Sequence, residues 1–311
     1  MRKLMLLMTA VLFISMFSTV FAENKKNDQD LRDLFKELSR STKWVKKDQI
    51  NLQFDAFHPQ GMTQVGDKFY MSSVEIIKKP EKYNAPKNGY DRSAGKGIGH
   101  LFVFNRKGEL LKDIKLGEGD MYHPGGIDFD GENIWVPTAE YRPDSKSIVY
   151  KIDIDTLKAK EEFRVNDHIG GVIHNDKNGK IVGVNWGSRK FYEWGENGKE
   201  LKVESNPSHY IDYQDCENIG KGKMACSGIS GLEDPNSKGG KYELGGLALL
   251  NMKNFSIENE VPVTEFSPEG HVVTRNPVFL KKSDQGIKLF TVPDDDKKAS
   301  LLIHEAKIPQ K

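Results

Sequence analysis

Phe57-His58-Pro59-Gln60-Gly61-Met62, His123-Pro124-Gly125-Gly126-Ile127 and His168-Ile169-Gly170-Gly171-Val172 share the form His-x-x-Gly-apolar. A tight turn and a second apolar stretch follow each. In the first two copies a glutamate closes that stretch, Glu75 and Glu140, each seventeen positions after its histidine. Self-similarity at roughly 45–65 residues, with about four short strands per period, is the sequence mark of a β-propeller.

Working outward, unit one runs from His58 to about Gly119, unit two over 120–167, unit three over 168–208 and unit four over about 209–266. The last unit has three strands, near 275–280, 287–292 and 301–306. Ile50–Phe57 reads as a spare strand that supplies the missing outer one. The expected fold is therefore all-β, a five-bladed propeller closed by an N-terminal strand. Closure removes two exposed sheet edges. Six blades would require splitting the long fourth unit.

Before the repeats, Leu31, Leu34, Phe35 and Leu38 fall on one face of a predicted helix over 28–40, which Asn27 or Asp28 can cap. Residues 1–22 read as a secretory signal: Arg2 and Lys3, an apolar run, then Val20-Phe21-Ala22 before Glu23. Cleavage after Ala22 is expected and implies a secreted protein; the competing reading is an uncleaved anchor. The domain expectation is signal peptide 1–22, polar segment and helix 23–47, and propeller 48–311. No later segment is apolar enough to span a bilayer.

The 46 basic and 45 acidic side chains nearly cancel. That argues against nucleic acid or an anionic membrane as partner, since both select a strong basic excess. A monomer is expected. The cysteines are Cys216 and Cys226. Pairing the strands around Gly220-Lys221-Gly222 puts them opposite each other, where a disulfide fits an oxidising compartment. The alternative is two buried thiols.

In a propeller blade, the residue opening the first strand and the one closing the second reach the same face near the axis. His58, His123 and His168 are thus candidate metal ligands. Glu75 and Glu140 are candidate bases, and Arg275, Asn276, Asn185, Trp186 and Tyr141 candidate substrate contacts. Zinc or another transition metal suits imidazole, and calcium suits this histidine-rich set less well. The competing reading makes each histidine a blade-to-blade hydrogen bond and each glycine a close-packing position. The Lys78–Gly99 loop should rise over the same face as a lid. The second strand of the last unit closes on Asp294–Asp296, which reads as a solvated loop with calcium binding as the alternative; a salt bridge to this run is the competing reading for Arg275. The sequence lacks a Gly-x-Ser-x-Gly elbow, a P-loop and a dinucleotide fingerprint.

On the Phe57–Met62 and His123–Ile127 segments, the chain resembles secreted bacterial propellers of an uncharacterised family, over about residues 48–308. Its architecture is similar to plant-type glutaminyl cyclotransferases, calcium-dependent lactonases and strictosidine-synthase-like proteins. None of their catalytic motifs transfers residue by residue. The expected function is a hydrolase or lyase, metal-assisted, acting on a small polar extracellular substrate. The alternative is a non-catalytic module that binds a glycan or cell-envelope component.

Overall fold

A computed structural model describes residues 30–234 and 240–308. The leader expected over residues 1–22 lies outside them. A short helix, α1 (Leu31–Lys36), comes first. It buries Leu34 and Phe35, and Leu38 beyond it, against the fourth and fifth blades. The helix is shorter than the predicted 28–40. Ser39 and Thr42 close a turn on each other, side chain to backbone and backbone to backbone, and so compete with further helix.

The closing strand is β1 (Trp44–Asn51). Blade 1 contains β2 (His58–Val65), β3 (Lys68–Lys78), β4 (Lys82–Lys87), β5 (Tyr90–Arg92), β6 (Lys96–Asn105) and β7 (Leu110–Leu116). Blade 2 has β8 (Met121–Pro124), β9 (Asp128–Phe129), β10 (Asn133–Glu140), β11 (Ser147–Asp153) and β12 (Ala159–Val165). Blade 3 is β13 (Ile169–Asn175), β14 (Lys180–Asn185), β15 (Lys190–Trp194) and β16 (Glu200–Ser205). Blade 4 is β17 (Asp212–Asn218), β18 (Lys223–Glu233), β19 (Lys241–Asn251) and β20 (Ile257–Val263). Blade 5 is β21 (Val278–Ser283), β22 (Gly286–Thr291) and β23 (Ser300–Lys307), with β1 on its outer edge.

The fold is the expected five-bladed propeller, with one correction at its closure. The closing strand is Trp44–Asn51, paired with β23 from Trp44↔Ala306 to Asn51↔Ser300, and not Ile50–Phe57. Residues 52–57 instead carry the chain from the rim to the axis. Their alternating apolar residues pack between blades: Leu52 and Ala56 join Phe102, Phe104 and Phe290 in one core cluster. Their backbone bonds go to loops, such as Gln53 N–H to Gly108 and Leu52 N–H to Ala299. A period-two pattern signals burial of alternate residues, and an extended crossover satisfies it as well as a strand does.

Middle strands are buried on both faces because blades stack on either side. In β10 every residue after Asn133 is buried, whereas the outer β16 is exposed along almost its whole length. The His-x-x-Gly motif has a backbone meaning. The ladders of β2 and β13 slip just before Gly61 and Gly171, and that of β8 ends at Pro124. The glycines then meet at the axis. Gly126 N–H donates to Gly170 O at 2.8 Å, and Val172 N–H to Gly126 O at 3.2 Å. A Cβ on Gly125 would lie 2.2 Å from Gly170 O, which no real side chain tolerates.

Cys216 and Cys226 sit opposite each other in β17 and β18 and form a disulfide. The residues are 10 apart and both buried. On chain entropy, closing so short a loop is worth about 2–3 kcal/mol. The Cys216→Ala/Cys226→Ala variant is expected to lose about that much in urea unfolding. A loss below about 0.5 kcal/mol would show that the bond adds nothing to the surrounding packing.

Candidate functional site

The motif histidines meet at one end of the axis, around two cavities divided by His58 and Tyr141, which line both. The larger, about 690 Å3, lies between blades 5 and 1 and is walled by Phe57, Glu75, Lys79, Arg92, Arg275 and Asp295 among others. The smaller, about 240 Å3, lies over blades 1 to 4 and includes Gln60, His123, His168, Asn185, Trp186 and Gln214.

His58 opens β2 and turns Nδ1 to Asp295 Oδ1 at 3.0 Å. Arg275 grips the same carboxylate with two nitrogens, at 3.2 and 3.1 Å, and Asn276 Nδ2 donates to it at 3.0 Å. Burial alone would raise the Asp295 carboxyl. The His58 and Arg275 bonds and charges outweigh it and hold the group well below the usual range. The carboxylate thus fixes the ring and leaves Nε2 for a ligand.

His123 stacks on Tyr141 at 4.2 Å, and neither of its ring nitrogens finds a hydrogen-bond partner among the described residues. Burial, reinforced by His168 and His58, keeps it neutral. His168 donates Nδ1–H to the Glu140 carbonyl at 2.7 Å and meets Trp186 edge-on at 4.7 Å. Burial lowers its pKa to about 4. Asn185 is tied to Asp167 at 3.1 Å and accepts Lys190 N–H at 2.8 Å.

The two glutamates part company. Glu75 lines the larger cavity, with Oε2 3.7 Å from Nε2 of the buried His100, which in turn contacts Asp113 at 2.9 Å. Its neighbour is therefore His100, while His58 faces Asp295. The Glu140 carboxylate turns to Arg142 Nε at 2.6 Å, and that arginine lies 3.5 Å over the Tyr90 ring. Glu140 is not among the residues lining either cavity.

Among the described residues, no group of three or more His, Cys, Asp or Glu side chains is placed to hold a metal ion. His58 and His168 each commit Nδ1 to another blade, and His123 and His168 stand 5.9 Å apart, ring to ring. Those two bonds link neighbouring blades, and both histidines also line the cavities.

The sequence reading left Asp295 out of the site as part of a solvated loop, but the salt bridge from Arg275 to that run, its competing reading for the arginine, is present at 3.1 Å. The available signal was positional: Asp295 follows the second strand of blade 5 as Glu75 closes that of blade 1. The Lys78–Gly99 stretch is mostly strand. The ends of β3 and β6 run past the blade and β4 and β5 pair as a hairpin, with Lys79, Pro80 and Arg92 in the cavity wall.

Fold and site together define a five-bladed β-propeller with a divided polar pocket at one end of its axis. The chain belongs to DUF6454, a family of unknown function, whose model matches residues 20–309. No curated protein matches it. Among solved structures it is similar to a DUF4221 family member from Bacteroides vulgatus, at 13% identity and TM-score 0.40, covering 88% of this chain and 100% of that one. It is also similar to luciferin-regenerating enzyme, at 10% identity and TM-score 0.43, covering 84% and 96%. A third is the tail fiber of Staphylococcus aureus phage P68, at 8% identity and TM-score 0.47, covering 86% of this chain and 53% of that one.

Proposed function

We propose that the protein is an exported hydrolase acting on a small polar substrate, with His58 as the proton-moving group. The observation that carries this is the His58–Asp295 pair at the divide between the two cavities. An imidazole held by a carboxylate at one nitrogen is built to take and return a proton at the other. His58 Nε2 accepts a proton from water as the water oxygen bonds to the electrophilic centre. The imidazolium then gives that proton to the leaving oxygen as its bond breaks. Asp295 stabilises the cation formed between the two transfers. Export is supported by the leader-like residues 1–22 and by the disulfide. Among the described residues, no helix is long and apolar enough to cross a membrane.

The test is a screen of ester, lactone and glycoside substrates with the wild type and His58→Gln. Turnover in the wild type that disappears in a variant still able to bind supports the reading. Equal turnover in both would sink it.

A second reading, a binding module for a carbohydrate, is favoured by the Tyr141 and Trp186 rings on the cavity wall. It predicts binding without turnover in the wild type, and loss of that binding in Trp186→Ala.

A further inference from the structure

The two cavities differ in what they can select. The larger carries both signs of charge, Asp55, Glu75, Asp295 and Asp296 against Lys79, Arg92 and Arg275, and favours neither. The smaller offers amides, aromatic rings and the uncharged His123 and His168. Its one carboxylate, Asp212, is engaged by Arg189 at 3.1 Å. A charged group placed there would lose its water and gain no free counter-ion. The floor is closed by Gly125, whose Cβ would strike the Gly170 carbonyl. Against a liquid share of ~30 Å3 per water, the volume of about 240 Å3 corresponds to one hydroxylated ring.

The bonds each wall residue makes inside the protein fix which atoms remain for a ligand. A backbone carbonyl only accepts. His168, bonded through Nδ1 to the Glu140 carbonyl at 2.7 Å, therefore carries its proton there and keeps Nε2 as a bare acceptor. Asp295 sets neutral His58 the same way, at 3.0 Å from Nδ1. Gln60 donates Nε2 to the Pro59 carbonyl at 3.0 Å, which leaves Oε1 as its acceptor. Asn185 drops out of the set, because Asp167 and the Lys190 N–H engage both ends of its amide. His123 is the independent sign of a ligand. It lines the cavity, is 6% exposed, and has no partner for either ring nitrogen among the described residues. Buried polar groups are nearly always paired. A hydroxyl both donates and accepts, so it can pair either nitrogen.

We infer that the smaller cavity takes an uncharged cyclic polyol, a single ring of monosaccharide size, whose hydroxyls donate to His168 Nε2, His58 Nε2 and Gln60 Oε1 and pair with His123. Trp186 supplies ring surface for its apolar face. The inference rests on the reading of this pocket as the ligand site and names what the site takes; it does not need His58 to move a proton.

The experiment is calorimetric titration of the wild type with glucose, galactose, mannose and myo-inositol, beside glucuronate and protonated glucosamine as charged counterparts. At least one neutral ring is expected to bind with a Kd of ~1 mM, the scale for a ligand of this size, and about tenfold more tightly than the charged rings. His168→Asn keeps a donor for the Glu140 carbonyl and deletes the acceptor. It should hold the wild-type melting temperature and bind about fivefold more weakly. His123→Phe removes two unpaired nitrogens and should likewise weaken binding without loss of stability. Charged rings bound as tightly as neutral ones, neutral rings bound equally by the wild type and both variants, or no neutral ring bound at all would overturn the inference. Neutral binding without turnover of any ester, lactone or glycoside leaves it standing and removes the hydrolase reading. Turnover that is lost in His58→Gln, with no neutral ring bound, keeps that reading and overturns the inference.

Discussion

Asp215→Ala is expected to cost about 3–5 kcal/mol of folding stability, the largest loss from any single side chain near the axis. Asp215 projects from blade 4 and is buried. It accepts N–H groups from three other blades: Met62 at 2.8 Å, Ile127 at 3.1 Å and Val278 at 3.4 Å. Alanine leaves those donors buried and unpaired, at about 1–3 kcal/mol each. Chemical denaturation measures it. A loss below about 1 kcal/mol would mean that water replaces the carboxylate.

Asp215 also gives the axis a pH signature, shared with Asp128 and Glu217. Asp128 accepts His174 and Asn218 N–H groups, and Glu217 accepts Leu280 N–H. Burial raises all three carboxyls, Asp128 to about 7 and the other two well above their ordinary values. A carboxyl with a raised folded-state pKa stabilises the fold below its unfolded value and loses that contribution as pH climbs through the folded one. The buried histidines act in the opposite sense. Burial depresses His123, His168 and His304, so their contribution is present above the unfolded value, near 6.5, and lost as pH falls toward 4. Well above pH 6.5 the histidines are mostly neutral folded or unfolded, and the carboxyls decide the slope. The melting temperature is expected to fall as pH climbs through about 7, where Asp128 ionises in the fold. A flat or rising profile by calorimetry would show that the axial carboxyls ionise without cost.

The second large effect is on chemistry. On an active substrate, His58→Gln is expected to lower kcat by about 10²–10⁴ while leaving the fold intact. His58 is about one-third exposed, and glutamine keeps most of its volume. Asp295→Asn should lower kcat by at least about 10², because an amide no longer fixes the tautomer or stabilises the imidazolium. That variant also frees Arg275, so its melting temperature must be measured beside its kinetics. An Asp295→Asn enzyme that keeps full kcat would reduce the pair to a blade-to-blade link. Glu140→Gln provides the contrast: loss of its contact with the half-buried Arg142 should appear in stability and leave turnover close to wild type.

Some of this was readable from the chain. The repeated His-x-x-Gly form, the period-two strands and the tight glycine turns pointed to five blades and to the Cys216–Cys226 pair, because these are local patterns. The three histidines were also brought to one end by repetition alone, since equivalent positions in successive blades must face the same way. Partner choice was not local. Asp295 lies 237 residues from His58 and meets it only because the ring closes blade 5 on blade 1. The pairing of Glu140 with Arg142 needed no closure, but the short bend after β10 that directs it carries no periodic signal.

By itself, then, the sequence determined the fold class, the blade count and the end of the axis where polar groups gather. Tertiary structure alone decided that Trp44–Asn51 closes the ring and that residues 52–57 cross inward. It also decided which acid faces which base and that the pocket is divided. Strand patterns record burial, and burial is set by a residue's immediate neighbours along the chain. Hydrogen-bond partners across the axis come from different blades, and only closure of the ring brings them within reach.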